Sequence, residues 1–184
     1  MLVNAEDLRG WIAVSLAQGT FWNDAVFLAE AWRTFEATDT LAETVELARA
    51  LAGSAERYRE TVLLGDAFVT AAQAWPHDVL QRLPTSAPYP IAVGAIAAAN
   101  GVGLEDVLAA HLHACVSQFV SAGIRLGVCG QRDGVAILAA LEGEIATVAK
   151  RASLSTLDDL GSATILADTA SLRHETQSTR LFRS

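Results

Sequence analysis

Few side chains in these 184 residues could bind a metal or move a proton, and the most suggestive are His111, His113 and Cys115. Imidazole and thiolate are good donors to divalent transition metals. At helical spacing His111 and Cys115 share a face, while His113 points elsewhere. The surrounding segment is strongly apolar, which favours a satisfied core histidine and an inert thiol. No metal site is therefore expected, and His111 and Cys115 are the only pair worth testing for one. His174-Glu175 matches half of a His-Glu-x-x-His zinc motif, but Ser178 stands where the second histidine would be. The one lysine, Lys150, follows Ala149 and not the glycine of a phosphate loop. Gly101-Val-Gly103 lacks both the third glycine and the preceding strand of a dinucleotide site, and no Gly-x-Ser-x-Gly elbow occurs. With no catalytic constellation left, the chain reads as an interaction protein and not an enzyme. The rival is a stand-alone enzyme or small-molecule binder using a pocket under the loop 76–90, to which His77, Asp78 and Tyr89 could contribute.

The elements that carry these residues read as helices. Half the residues are hydrophobic, and alternating strand patterns are absent. We expect an all-α, single-domain bundle of about seven to nine helices, with residues 1–157 as the core and 158–184 as linker and C-terminal tail helix. Asn4, Glu6 and Asp7 start the first helix, Leu8, Trp11, Ile12 and Leu16 form its stripe, and Gly19 ends it. A second helix from about Trp22 buries Phe21, Leu28, Trp32 and Phe35. Thr40-Leu-Ala-Glu43 reads as a capping box for a third, with Leu41, Val45, Ala48 and Leu51 inward. Ser54 caps a fourth that ends at Trp75-Pro76 and carries Arg57, Thr61, Gly65 and Phe68 on one face. A mid-helix glycine costs ~1 kcal/mol against alanine, so Gly65 implies close approach of another segment. After the long loop, Pro90 opens a short buried helix whose apolar part, 91–99, is far below the ~20 residues of a membrane span. Leu104 to Leu126 is apolar nearly all round and is expected to be central. A break at Gly127-Val-Cys-Gly130, flanked by Arg125 and Gln131, precedes a last core helix with Val135, Leu138, Leu141 and Ile145 inward. Arg125 and Gln131 are expected to be buried and to satisfy carbonyls at the break, the alternative being that they shape a partner surface. Residues 153–164 form a linker.

The C-terminal stretch differs from the rest. Ile165, Leu166, Thr169, Leu172 and Thr176 recur at helical spacing, with Arg173, Gln177 and Arg180 on another face. The chain then closes on Arg180-Leu-Phe-Arg-Ser184. Phe182 between Arg180 and Arg183 has the composition of an interface anchor, and something is expected to cover it. Net charge is −8, yet three of the 13 bases and only one of the 21 acids fall within 173–184. An acidic body argues against a nucleic-acid partner, and a basic tip can bind an acidic partner or fold back on its own body. Cys115 and Cys129 have no metal or redox spacing and read as reduced thiols of a cytosolic protein.

Arg173-His-Glu-Thr-Gln177 with Arg180-Leu-Phe-Arg-Ser184, after Leu160-Gly-Ser-Ala-Thr164, resembles the C-terminus of the UreF family of urease accessory proteins. Gly19-Thr-Phe-Trp-Asn-Asp24, the group Glu56, Arg57, Glu60, Thr61 and Gly65, and the group Arg125, Gly130, Gln131 and Gly134 fit the same family in order. The resemblance implies a helical homodimer that binds the accessory protein UreD (UreH in some bacteria). That pair recruits the GTPase UreG and delivers nickel to apo-urease, with no cofactor held permanently. It also implies that Arg173, His174, Glu175, Gln177, Arg180, Leu181, Phe182 and Arg183 meet UreD. Ser178 departs from the family's usual tyrosine, and the family's opening Pro-Val-Gly segment has no counterpart before Met1.

Overall fold

The computed structural model describes residues 3–161, and the expected tail helix lies outside them. Those residues form eight α-helices and one 3₁₀ turn, with no strand among them. The helices are α1 (Ala5–Gln18), α2 (Thr20–Thr34), α3 (Thr38–Ala50), α4 (Ala55–Ala72), α5 (Val79–Arg82), α6 (Tyr89–Ala99), α7 (Leu104–Arg125) and α8 (Gln131–Ser153). The 3₁₀ turn is Leu157–Asp159. The all-α expectation is met. The described chain divides into two compact units, residues 3–26 with 105–161 and residues 27–104.

In the first unit, α1 starts as its sequence dictates. The Asn4 side chain accepts the Asp7 N–H at 2.9 Å, and Glu6 and Asp7 sit in the positive first turn. Leu8, Ile12 and Leu16 bury the opposite stripe. α8 lies against α1. The Glu144 carboxylate adds to the field on Arg9, and Arg151 donates to the Ala17 carbonyl at 2.6 Å, so the two helices run in the same direction. The inward stripe of α8 is Gly134, Ile137, Leu141, Ile145, Val148, Ala149 and Ala152. Val135 is instead 65% exposed, because it stands a full 100° round the helix from Gly134, whose missing side chain leaves room for Val120 and Ile124.

α7 departs from the expectation of a helix buried all round. It buries Val107, Leu108, His111, Leu112, Val116, Val120 and Gly123, while Ala110, His113, Ala114, Gln118 and Ser121 are exposed. It is long and apolar enough to cross a membrane by length and composition, and 39% of its most apolar window is buried. Phe119 anchors the unit's aromatic cluster, with its ring centroid 4.9 Å from that of Trp11 and 5.0 Å from that of Phe21.

In the second unit the enclosed helix is α6, where every residue from Pro90 to Ile96 is buried. Two main-chain approaches seat it, one between α4 and the loop that enters α6 and one between α6 and α2. A Cβ on Gly65 would run into the Ala87 carbonyl oxygen, and one on Gly94 into that of Leu28. The Thr61 hydroxyl accepts the Tyr89 N–H at 3.3 Å, and the Phe68 and Tyr89 rings stack edge-on at 5.6 Å. Gly65 thus marks a close approach, by the strand of loop entering α6.

Three boundaries differ from the sequence reading. α3 begins at Thr38 after Ala37, with no side-chain cap, because the Leu41 N–H already bonds the Ala37 carbonyl; Thr40 lies inside the helix. Leu51, at the end of α3, is exposed, while Leu41, Val45 and Ala48 are buried as expected. α4 ends at Ala72, which leaves Trp75 67% exposed, and the loop that follows contains α5.

Two glycines make a paired test. Gly10 sits in mid-helix with nothing within 4 Å of a Cβ, so Gly10→Ala should stabilise by about 1 kcal/mol. Gly65→Ala must push backbone aside and should cost roughly 1–3 kcal/mol. Melting curves should move in opposite directions, by about 2–4 °C per kcal/mol. A neutral Gly65→Ala would contradict the packing described.

Candidate functional site

His111 and Cys115 come together as their spacing requires, with Nε2 and Sγ 3.7 Å apart on the inward side of α7. His111 is only 4% exposed and Cys115 is half-buried. His113 turns outward, its Nδ1 3.5 Å from the Ser117 hydroxyl. Among the described residues no three His, Cys, Asp or Glu side chains gather into a set that could hold a metal. Two donors do not make the four-coordinate or larger shell that divalent metals take in proteins.

The family-motif residues on α4 have structural employment. The Arg57 guanidinium meets the Glu60 carboxylate at 3.0 Å, and Glu60 is exposed enough for the pair to contribute under about 1 kcal/mol. Ser54 caps the helix through the Arg57 N–H at 3.1 Å. Thr61 and Gly65 seat the entry to α6. At the second motif, Gly130 is the N-cap of α8 and its N–H donates to the Asp133 carboxylate at 3.3 Å. Arg125 and Gln131 are exposed, which corrects the expectation of buried polar groups at this break. The Gly127 and Val128 N–H groups already take the Ile124 and Gly123 carbonyls at the break, at 3.0 and 2.9 Å.

Beside the loop after α4 lies a cavity of about 390 Å³ lined by Gln73, Pro76, His77, Asp78, Leu80 and Gln81. His77 Nδ1 accepts the Val79 N–H at 3.2 Å and so starts α5. Tyr89 is held against Phe68 and is not among the lining residues. Asp78 is the one other titratable side chain lining this cavity. Glu6 is held below the usual carboxylate value by the hydrogen bond and charge of Arg9, but this pair lies exposed at the start of α1 and outside any cleft.

One cluster was not singled out by its chemistry in the sequence. The Trp22 indole N–H donates to the Asp159 carbonyl at 2.8 Å, and the Asn23 side-chain oxygen accepts the Gly161 N–H at 3.0 Å. The Arg151 guanidinium lies 3.7 Å from the centroid of the Trp22 ring. The signal was the Gly19–Asp24 segment, whose tryptophan and asparagine sit side by side at a helix start. Residues 154–161, expected as linker, are in fact tied to α2. The candidate partner residues Arg173, His174, Glu175, Gln177, Arg180, Leu181, Phe182 and Arg183 lie outside the described residues.

Comparison with known proteins adds what geometry alone does not. The UreF family profile matches residues 2–142. A protein of Agrobacterium fabrum named urease accessory protein UreF is 68% identical over 98% of this chain and 81% of its own length. Proteins of the same name from Rhizobium etli and Rhizobium meliloti are 62% and 53% identical, each over 100% of this chain and 82% of the relative.

With two donors and no third among the described residues, nickel should not be retained stoichiometrically through dialysis. Stoichiometric nickel by metal analysis, lost in His111→Ala, would contradict this reading.

Proposed function

Since the chain belongs to the UreF family of urease accessory proteins, and is an accessory protein and not an enzyme, we propose that it is a non-catalytic adaptor in nickel insertion. In this reading it binds UreD (UreH), and the pair recruits the GTPase UreG and presents apo-urease with nickel. The observation that carries the proposal is the 68% identity across nearly the whole chain. The chain holds no permanent cofactor, and nickel is cargo of the assembly. It acts in the cytoplasm as a homodimer, without nucleic acid or membrane as partner.

Physical features support the partner roles. α7 is the longest strongly apolar helix described, yet it leaves Ala110, Ala114 and Ser121 outward. Small side chains on an exposed helix face let a second backbone come close, which suits pairing of two copies. Arg180, Leu181, Phe182 and Arg183 suit a UreD anchor, with Arg173, His174, Glu175 and Gln177 preceding them. Fully burying a phenylalanine is worth ~1.5–3 kcal/mol, a gain realised only where a surface covers it. Arg180 can add a bidentate bond to a carboxylate, which lysine would not reproduce.

Two outcomes are expected. Light scattering at micromolar concentration should give a dimer, and a monodisperse monomer would count against pairing. Phe182→Ala, or deletion of Leu181–Ser184, should abolish UreD pull-down with little change in melting temperature. A fall of several degrees, with binding reduced only in proportion, would make this segment part of the protein's own core.

A further inference from the structure

α8 ends at Ser153, and the chain could leave the body there. It does not. The Ser155 hydroxyl turns back on the Ala152 carbonyl at 2.7 Å, and the Asp159 carboxylate accepts the Thr156 N–H at 2.8 Å, which shapes the 3₁₀ turn. Trp22 then takes the Asp159 carbonyl and Asn23 the Gly161 N–H. A buried indole N–H needs an acceptor, and here the acceptor lies 137 residues away in sequence. Arg151 covers the other side of this tryptophan and donates to the Ala17 carbonyl, so one guanidinium ties α8 and the end of α1 to the start of α2. These contacts hold chain that belongs to no helix.

We propose that Trp22, Asn23 and Arg151 form a clasp that fixes the origin of the C-terminal segment and so positions it for its partner. The inference rests on reading Arg173–Arg183 as the partner-binding segment. A binding segment tethered at a fixed point is presented at a higher effective concentration than one on a slack tether, and less chain must be ordered when the partner arrives. The clasp removes residues 154–161 from the chain that leads to the partner-binding residues. Trp22, Asn23 and Arg151 are positioning residues in this scheme, since none of them need touch the partner.

The test uses the full chain carrying Trp22→Phe and Asn23→Ala together. Phenylalanine keeps a ring for Arg151 but loses the N–H donor, and alanine loses the acceptor for Gly161. Helix content should be retained, exchange of the Gly161 amide should speed up, and the Kd for purified UreD should rise roughly three- to tenfold. If the double variant fails to fold, Asn23→Ala alone replaces it, since Asn23 is only half-buried and the indole bond remains. Faster exchange at Gly161 with unchanged UreD affinity would overturn the clasp. Deletion of Leu181–Ser184 is measured beside these variants. If that deletion leaves affinity intact, the partner-binding reading itself falls, and the clasp proposal with it. If the deletion abolishes binding while the clasp variants bind normally, only the clasp proposal falls.

Discussion

Main chain against main chain is the constraint on which residues 27–104 depend. At Gly65 against Ala87, and at Gly94 against Leu28, no side chain of any size can stand between the two backbones. Each helical glycine weakens its own helix by ~1 kcal/mol relative to alanine, so the packing it permits must return more than that. What it permits is α6, with an unbroken buried run from Pro90 to Ile96. Around that helix, side chains take up main-chain groups of the loop that enters it. Thr61 takes the Tyr89 N–H, and Arg49 donates to the carbonyls of Thr85 and Ser86, where the backbone enters the left-handed region at Ser86. The loop before α6 is therefore built into the unit, with a modest cavity beside α5.

The unit of residues 3–26 and 105–161 is organised by side chains. Trp11, Phe21 and Phe119 form its aromatic centre, and Arg151 with Trp22 closes it at one end. Both units spend their polar chemistry on helix starts, loop entries and chain fastening. An accessory protein of urease needs surfaces and rigidity more than it needs a reacting group, and this distribution of polar side chains suits that. The family's motif residues illustrate the same point: Thr61, Gly65 and Gly130 hold backbone, and Arg125 and Gln131 are exposed.

Helix number and type were legible from the sequence because capping residues and apolar stripes agree at α1 and α4. Asn4 and Ser54 both cap where they were expected to. The reading failed where two signals competed. Thr40-Leu-Ala-Glu43 has the spacing of a capping box, but Ala37 enters the helix first through a main-chain bond that no side chain announces. Val135 was placed inward because α8 has apolar residues on more than one side, and only packing against Val120 and Ile124 selects the phase that begins at Gly134. α7 was taken as central from its composition, which cannot separate a buried face from an uncovered face of alanine and serine. Of the candidate residues, the His111–Cys115 pairing followed directly from i, i+4 spacing. The bonds of Trp22 and Asn23 to Asp159 and Gly161 could not be read, since nothing local links positions so distant in the chain.

The central claim is that this protein works by holding partners, through its C-terminal segment, and not by chemistry of its own. Reconstituted activation of apo-urease with UreD, UreG, GTP and nickel tests it most directly, comparing the full chain with a chain ending at Gly161. The account predicts that the shortened chain melts at nearly the same temperature and that only the full chain yields active urease. Equal activation by the shortened chain would contradict it.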